Sequence, residues 1–138
     1  AGDQVLPGIS SNLGVYPIEP NADTVGDWIN SCEKLLKLSS DEQMVLPGHG
    51  RPFSGLPRRL VQLIENHKAA LKRIEEALKA GPKTAVELFK TIFKRDINKK
   101  EYMLALHEAV GHVNHLYKAG LVNRDIRPDG AFIFELKK

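Results

Sequence analysis

The chain has 138 residues, of which 42% are hydrophobic and 27% charged, with a net charge of +3. That length suits one ordinary domain or two very small ones, the composition excludes a disordered chain, and no stretch approaches the roughly 20 apolar residues that cross a bilayer. The single cysteine, Cys32, excludes an internal disulfide framework and a cysteine-based zinc finger, and it points to a reducing, cytoplasmic setting.

The charge is unevenly spread: residues 1–50 carry −5, residues 51–82 carry +4 and residues 83–138 carry +4. The basic part can meet phosphates, although a solvated lysine-rich surface accounts for the same excess. The chain starts without methionine, and Gly2-Asp3-Gln4-Val5-Leu6 reads as the exit from an element already under way, so a truncated chain is expected. Pro7, Gly8, Gly14, Pro17 and Pro20 make the first 20 residues loop, with at most a short extended piece at 13–18.

A helix is expected over 24–38, capped by Asp23 or Thr24. There Val25, Trp28, Ile29, Cys32, Leu35 and Leu36 recur at three- and four-residue steps. Met44-Val45-Leu46 reads as a short strand buried on both faces, ended by Pro47-Gly48. A second helix is expected from about 57 to 80, with Pro57 at its start, Gly81-Pro82 as its stop, and a stripe of Leu60, Ile64, His67, Leu71, Ile74 and Leu78. His67 lies in that stripe, so a hydrogen-bonded core or interdomain histidine is favoured over a site role.

Residues 83–138 read as a separate unit. Thr84-Ala85-Val86-Glu87 is a capping box, opening a helix that is expected to bury Val86, Leu88, Phe89, Ile92 and Phe93. Asn98 and Glu101 repeat the device ahead of a helix that runs to about Lys118 and stops at Gly120. Residues 121–124 and 131–135 follow as strands around the turn Arg127-Pro128-Asp129-Gly130. Helix, helix, hairpin is the winged helix-turn-helix pattern.

Asp3 and His49 stand out because glycine flanks each of them: Gly2-Asp3 and Gly48-His49-Gly50. Small neighbours admit a metal or substrate close to the backbone, and a carboxylate with a neutral imidazole suits Zn²⁺, Fe or Mn²⁺. On spacing alone, 46 residues apart, the pair carries little weight. His112 and His115, one helical turn apart, offer a clamp without an evident third ligand; polar residues lining a seam explain them as well.

Gly2-Asp3-Gln4-Val5-Leu6, Ile9-Ser10-Ser11-Asn12, Val15-Tyr16-Pro17 and Leu46-Pro47-Gly48-His49-Gly50-Arg51-Pro52 together resemble the C-terminal portion of a metallo-β-lactamase-fold hydrolase. The helix around Gly111-His112-Val113-Asn114-His115-Leu116 resembles the winged-helix extension that some of these hydrolases carry. The resemblance implies an α/β plus α+β architecture. Residues 1–82 would be the C-terminal half of an αββα sandwich, and residues 83–138 a small winged-helix domain.

The resemblance also implies two divalent metal ions in the intact protein, zinc with iron or manganese as alternatives. Asp3 then matches the aspartate that bridges both metals and His49 the last histidine ligand. A metal-activated hydroxide would attack an ester, thioester, amide or phosphodiester. Ser10, Asn12 and Tyr16 fall on the substrate loop, while His67 and His115 have supporting or structural places. The family's His-x-His-x-Asp-His motif does not occur in these 138 residues. Two ligands out of about seven imply a fragment that is inactive alone and holds little or no metal.

The expected partner is a small ester- or thioester-type substrate. A winged helix also opens the alternative of a nucleic-acid or protein-interaction module. Glu101 and Glu108 on its second helix argue against sequence-specific DNA, whereas Arg124, Arg127, Lys137 and Lys138 leave RNA open. A packing role, as a cleft wall or homodimer contact, is the plainest one for residues 83–138. No membrane partner is expected.

Overall fold

The computed structural model describes residues 1–138. In chain order it has α1 (Thr24–Leu36), α2 (Leu56–Leu78), a 3₁₀ turn (Val86–Leu88), α3 (Phe89–Phe93), α4 (Tyr102–Lys118), β1 (Val122–Ile126) and β2 (Phe132–Leu136). No helix is long and apolar enough to cross a membrane. The chain forms two compact units: Ala1–Asn12 with Gly26–Lys68, and Leu13–Val25 with Ala69–Lys138.

In the first unit the core is Val5, Leu6, Trp28, Ile29, Cys32, Val45, Leu60, Leu63 and Ile64. Each such leucine, isoleucine or valine contributes about 1.5–3 kcal/mol by leaving water, more than any single polar contact around it. Polar groups of the loop are then satisfied from the helices. Trp28 Nε1 donates to Gln4 O at 3.2 Å. Arg59 on α2 donates through Nε to Leu6 O at 2.7 Å and through Nη2 to Ile9 O at 2.8 Å. One guanidinium thereby pins the irregular segment that α2 faces. Burial pushes the Cys32 thiol up, away from the reactive thiolate.

The expected strand at Met44–Leu46 is not formed. Val45 pairs antiparallel with Phe53 through N···O contacts of 2.8 and 3.1 Å, but only as an isolated bridge. Val45 is buried while Met44 is 65% and Leu46 64% exposed, so in this unit the run has one inward position rather than two covered faces.

In the second unit, α4 is the central element. Ala105, Ala109, Gly111, His112, Val113, Asn114 and Leu116 are buried on it, with Leu13, Val15, Val25, Leu71, Ile74, Leu78, Leu88, Phe89, Ile92, Val122 and Phe134 completing the core. Gly111 permits a close approach: a Cβ there would lie 2.6 Å from Leu13 O and 2.9 Å from Thr24 Oγ1. Tyr102 and Tyr117, apolar positions of the same helix, are instead 40% and 41% exposed.

The capping box forms. Glu87 Oε2 accepts from Thr84 N at 2.7 Å and Thr84 Oγ1 at 2.9 Å, and Glu87 N donates back at 3.4 Å. These bonds hold the Glu87 carboxyl below the usual carboxylate range. The box opens into a 3₁₀ turn and a five-residue helix rather than one regular helix, and Val86 points outward at 40% exposure. Lys94 closes α3 in the left-handed region at φ 56°, and Arg73 of α2 donates to the carbonyls of Thr91 and Ile92 at 3.0 and 3.1 Å. Those are carbonyls of the kind a helix end leaves orphaned.

β1 and β2 pair antiparallel with Val122 opposite Leu136 and Ile126 opposite Phe132. Gly130, at φ 85°, closes the turn, and Gly130 N donates to Arg127 O at 2.9 Å. Lys83 adds a one-residue rung to β2, exchanging both backbone hydrogen bonds with Phe134 at 3.0 and 2.9 Å.

Candidate functional site

The first unit brings Asp3 and His49 together. Gly2 and Pro47 form a parallel bridge, and Gly48 N donates to Gly2 O at 2.7 Å. The buried Ser11 hydroxyl donates to the carbonyl of Asp3, fixing the same segment from the other side. The two chain segments thus lie side by side, and the residues following the bridge face each other. His49 Nδ1 donates to Asp3 Oδ1 at 2.8 Å.

Both side chains are open to solvent, His49 at 75% and Asp3 at 55%. The glycine between Pro47 and His49 is needed for space rather than for backbone freedom, since a Cβ at position 48 would run into the Asp3 carboxylate. Gly50, in contrast, sits at φ 91° with Pro7 in the place of a side chain, so it is needed on both counts.

An oxygen and an imidazole nitrogen within hydrogen-bond distance, exposed and on glycine-flanked loops, fit part of a site for a borderline divalent ion such as Zn²⁺. No third His, Cys, Asp or Glu joins them. Three protein ligands are usual even for a single catalytic zinc, so these two residues alone do not make up a metal site.

The other expected residues have different surroundings. Ser10 is half-buried and Asn12 exposed, on either side of Ser11, whose hydroxyl makes the contact with Asp3. His67 is buried, its ring edge-on to Trp28 at 4.8 Å. Tyr16 and His115 belong to the second unit. The exposed Tyr16 ring lies 4.6 Å from that of His107, whose backbone carbonyl accepts from Val15 N at 3.0 Å. His115 Nδ1 donates to the Asp23 carboxylate at 3.0 Å, with three-quarters of both side chains covered.

His112 turns to a different partner from His115, donating through Nδ1 to Glu108 O at 2.8 Å. Burial holds its pKa below the ordinary histidine value, so it packs as a neutral ring. The two histidines therefore do not form the clamp their spacing allows. Sequence reasoning missed Glu108 as a perturbed group: burial raises its carboxyl from 4.5 to about 7. Asn114 was also missed. It is buried and donates to the carbonyls of Pro20 and Ala22 at 2.9 and 3.1 Å. A polar residue inside a helical stripe is the signal that could have found both.

Comparisons with known proteins show what the chain is similar to. Residues 71–137 match the family described as "Metallo-beta-lactamase-like, C-terminal domain". Solved structures of two beta-lactamase-type proteins superpose on nearly the whole chain. A beta-lactamase domain protein from Burkholderia ambifaria is 32% identical with a TM-score of 0.93, over 99% of this chain and 40% of that one. A metallo-beta-lactamase family protein from Thermus thermophilus is 27% identical with a TM-score of 0.80, over 99% and 41%. No curated protein matches the chain. The fold is a mixed α/β arrangement matching the C-terminal part of metallo-beta-lactamase proteins, and the chain spans about 40% of the length of these relatives.

Proposed function

We propose that these 138 residues are the C-terminal portion of a metal-dependent hydrolase of the metallo-β-lactamase superfamily. The observation that carries this reading is the meeting of Asp3 and His49 at 2.8 Å across 46 residues of chain. Asp3 offers its carboxylate and His49 its imidazole to two divalent ions, zinc by donor chemistry, with iron or manganese as alternatives. The remaining ligands come from residues outside this chain, which is inactive alone.

The metals, when bound, supply an activated water and polarise the scissile bond. The part of this chain is to orient. Ser11 and the Gly2–Pro47 bridge hold the backbone of Asp3, and Gly48 leaves its carboxylate room. Ser10, Asn12 and Tyr16 are proposed on the substrate side, with a small ester or thioester as substrate.

Residues 1–82 are read as hydrolase-derived and 83–138 as a winged-helix-like module. Support for the latter is the order of α3, α4 and the β1–β2 hairpin with the Lys83 rung beside it. A nucleic-acid or protein-interaction role, including a homodimer contact, is the alternative function of that module. A cytoplasmic setting fits the single buried thiol.

The test is hydrolysis of a thioester and ester panel by a longer, metal-loaded protein containing these residues. Asp3→Asn and His49→Gln are expected each to cost more than about a hundredfold in rate, beyond what losing a mere supporting partner costs. Full activity in either variant refutes the assignment.

A further inference from the structure

A cavity of about 210 Å³ opens on the second unit, lined by Asn21, Asn114, Tyr117, Lys118 and Arg124. Two of the five lining residues are cations and none is a carboxylate. Arg124 is held rigidly. Its guanidinium carbon stands 4.6 Å from the Tyr117 ring centre and 4.5 Å from that of Phe132, and Nη1 donates to Asn21 Oδ1 at 3.0 Å. The remaining edge, Nε and Nη2, has no partner in the protein, and neither Arg124 nor Lys118 makes an ion pair.

Nearby acids are committed or turned away. Asp23 accepts from His115, and Asp125 follows Arg124 on β1, so it projects from the opposite face of the hairpin. Both amide hydrogens of Asn114 go to Pro20 O and Ala22 O, which fixes the wall of the cavity but adds no charge. Lys118 ends α4, where the helix dipole is negative. That partial charge is smaller than the two full cations it faces.

We propose that this cavity binds a phosphate monoester. Arg124 presents its free edge to two phosphate oxygens, and Lys118 acts as a point charge. A phosphate monoester carries close to two negative charges at neutral pH and so matches the pair, whereas a monocarboxylate leaves one cation uncompensated. The monoester can come from a small phosphorylated metabolite or from the 5′ end of a nucleic-acid strand. The proposal is independent of the hydrolase reading, since all five residues lie outside the unit that holds Asp3 and His49.

The experiment is a ¹⁵N NMR titration of the chain with glycerol phosphate and with a short single-stranded RNA bearing a 5′-phosphate or a 5′-hydroxyl. Saturable shifts are expected at the amides of Tyr117, Lys118 and Arg124 and at the Arg124 Nε–H. Lys118→Ala and Arg124→Gln should each weaken binding about tenfold. Lys118→Ala leaves the ring–guanidinium stack untouched, so it keeps the test readable even where Arg124→Gln disturbs folding. Saturation by glycerol phosphate assigns a small ligand. Binding only of the 5′-phosphorylated strand assigns a strand end. Equal binding of the 5′-hydroxyl strand, an unchanged affinity in Lys118→Ala, or no saturable shift at these residues overturns the proposal.

Discussion

Each unit holds one aspartate–histidine pair of nearly the same length, 2.8 Å for Asp3–His49 and 3.0 Å for Asp23–His115. Their surroundings differ. The first is more than half exposed, on loops whose glycines keep space around the side chains. The second is largely covered, next to Asn114, which ties the 20–22 loop to α4 by two further bonds. Geometry alone does not distinguish a site from a structural tie; exposure and the commitment of neighbouring donors do. An exposed polar pair of this kind contributes little to stability, about 0–1 kcal/mol, so the fold does not depend on the contact between Asp3 and His49.

That contrast can be broken or sharpened by substitution. The largest effect is expected from Asn114→Ala, which strands the Pro20 and Ala22 carbonyls. Loss of about 2–3 kcal/mol in urea unfolding is expected, because two bonds of ordinary worth disappear together. A change under half of that would mean the loop is held by packing rather than by the amide.

Glu108→Gln should act next, with an effect that starts above about pH 4.5 and grows until about pH 7. Glu108 has a folded pKa of about 7, above its ordinary 4.5, so the folded state favours the protonated acid. Stability from this group is full below pH 4.5 and is lost as pH rises to 7. The variant should therefore match the parent near pH 4 and exceed it by about 2 kcal/mol at pH 8, a discounted fraction of the full shift. His112 runs the other way. Its depressed pKa makes acid unfavourable below its ordinary 6.5. A stability profile of the variant should accordingly keep the acid limb and lose the alkaline one.

Gly111→Ala comes third. Alanine favours a helix interior by about 1 kcal/mol, but the added carbon meets a backbone carbonyl at 2.6 Å and cannot displace it cheaply. Overpacking of about 1–3 kcal/mol outweighs it, giving a net loss of up to about 2 kcal/mol in thermal or chemical unfolding. The smallest stability effect belongs to Asp3→Asn, within about 0.5 kcal/mol, as for surface changes generally. Gly48→Ala should likewise be nearly neutral for folding while pushing the Asp3 carboxylate off His49, visible as a changed His49 imidazole resonance.

Much of the frame was legible. The stripe from Leu60 to Leu78, the capping box at Thr84 and the turn before Gly130 all follow from local spacing and local backbone needs, and the structure has them. Met44-Val45-Leu46 misled because three apolar residues carry no period, so a single inward Val45 cannot be told from a covered strand. Val86 misled because a residue two positions past a cap points where the turn points, not where its hydrophobicity suggests.

Other features were invisible for a different reason. Gly111 is small on account of Leu13 and Thr24, some 90 residues earlier, and nothing near it says so. Asp3 and His49 were joined in advance only by resemblance to a family, since residues 46 apart share no local pattern. Arg124 between two rings depends on hairpin register with α4, which no single segment encodes.

The rung formed by Lys83 has a bearing on how this hairpin behaves in a crowded solution. Both backbone groups at the midpoint of the outer side of β2 are already occupied by it, and Lys137 and Lys138 follow directly at the strand's end. A foreign extended segment arriving there finds no continuous row of free donors and acceptors to copy, and it meets positive charge where it would have to begin. The same single residue that links α2 to the hairpin therefore blunts one open margin against runaway self-association.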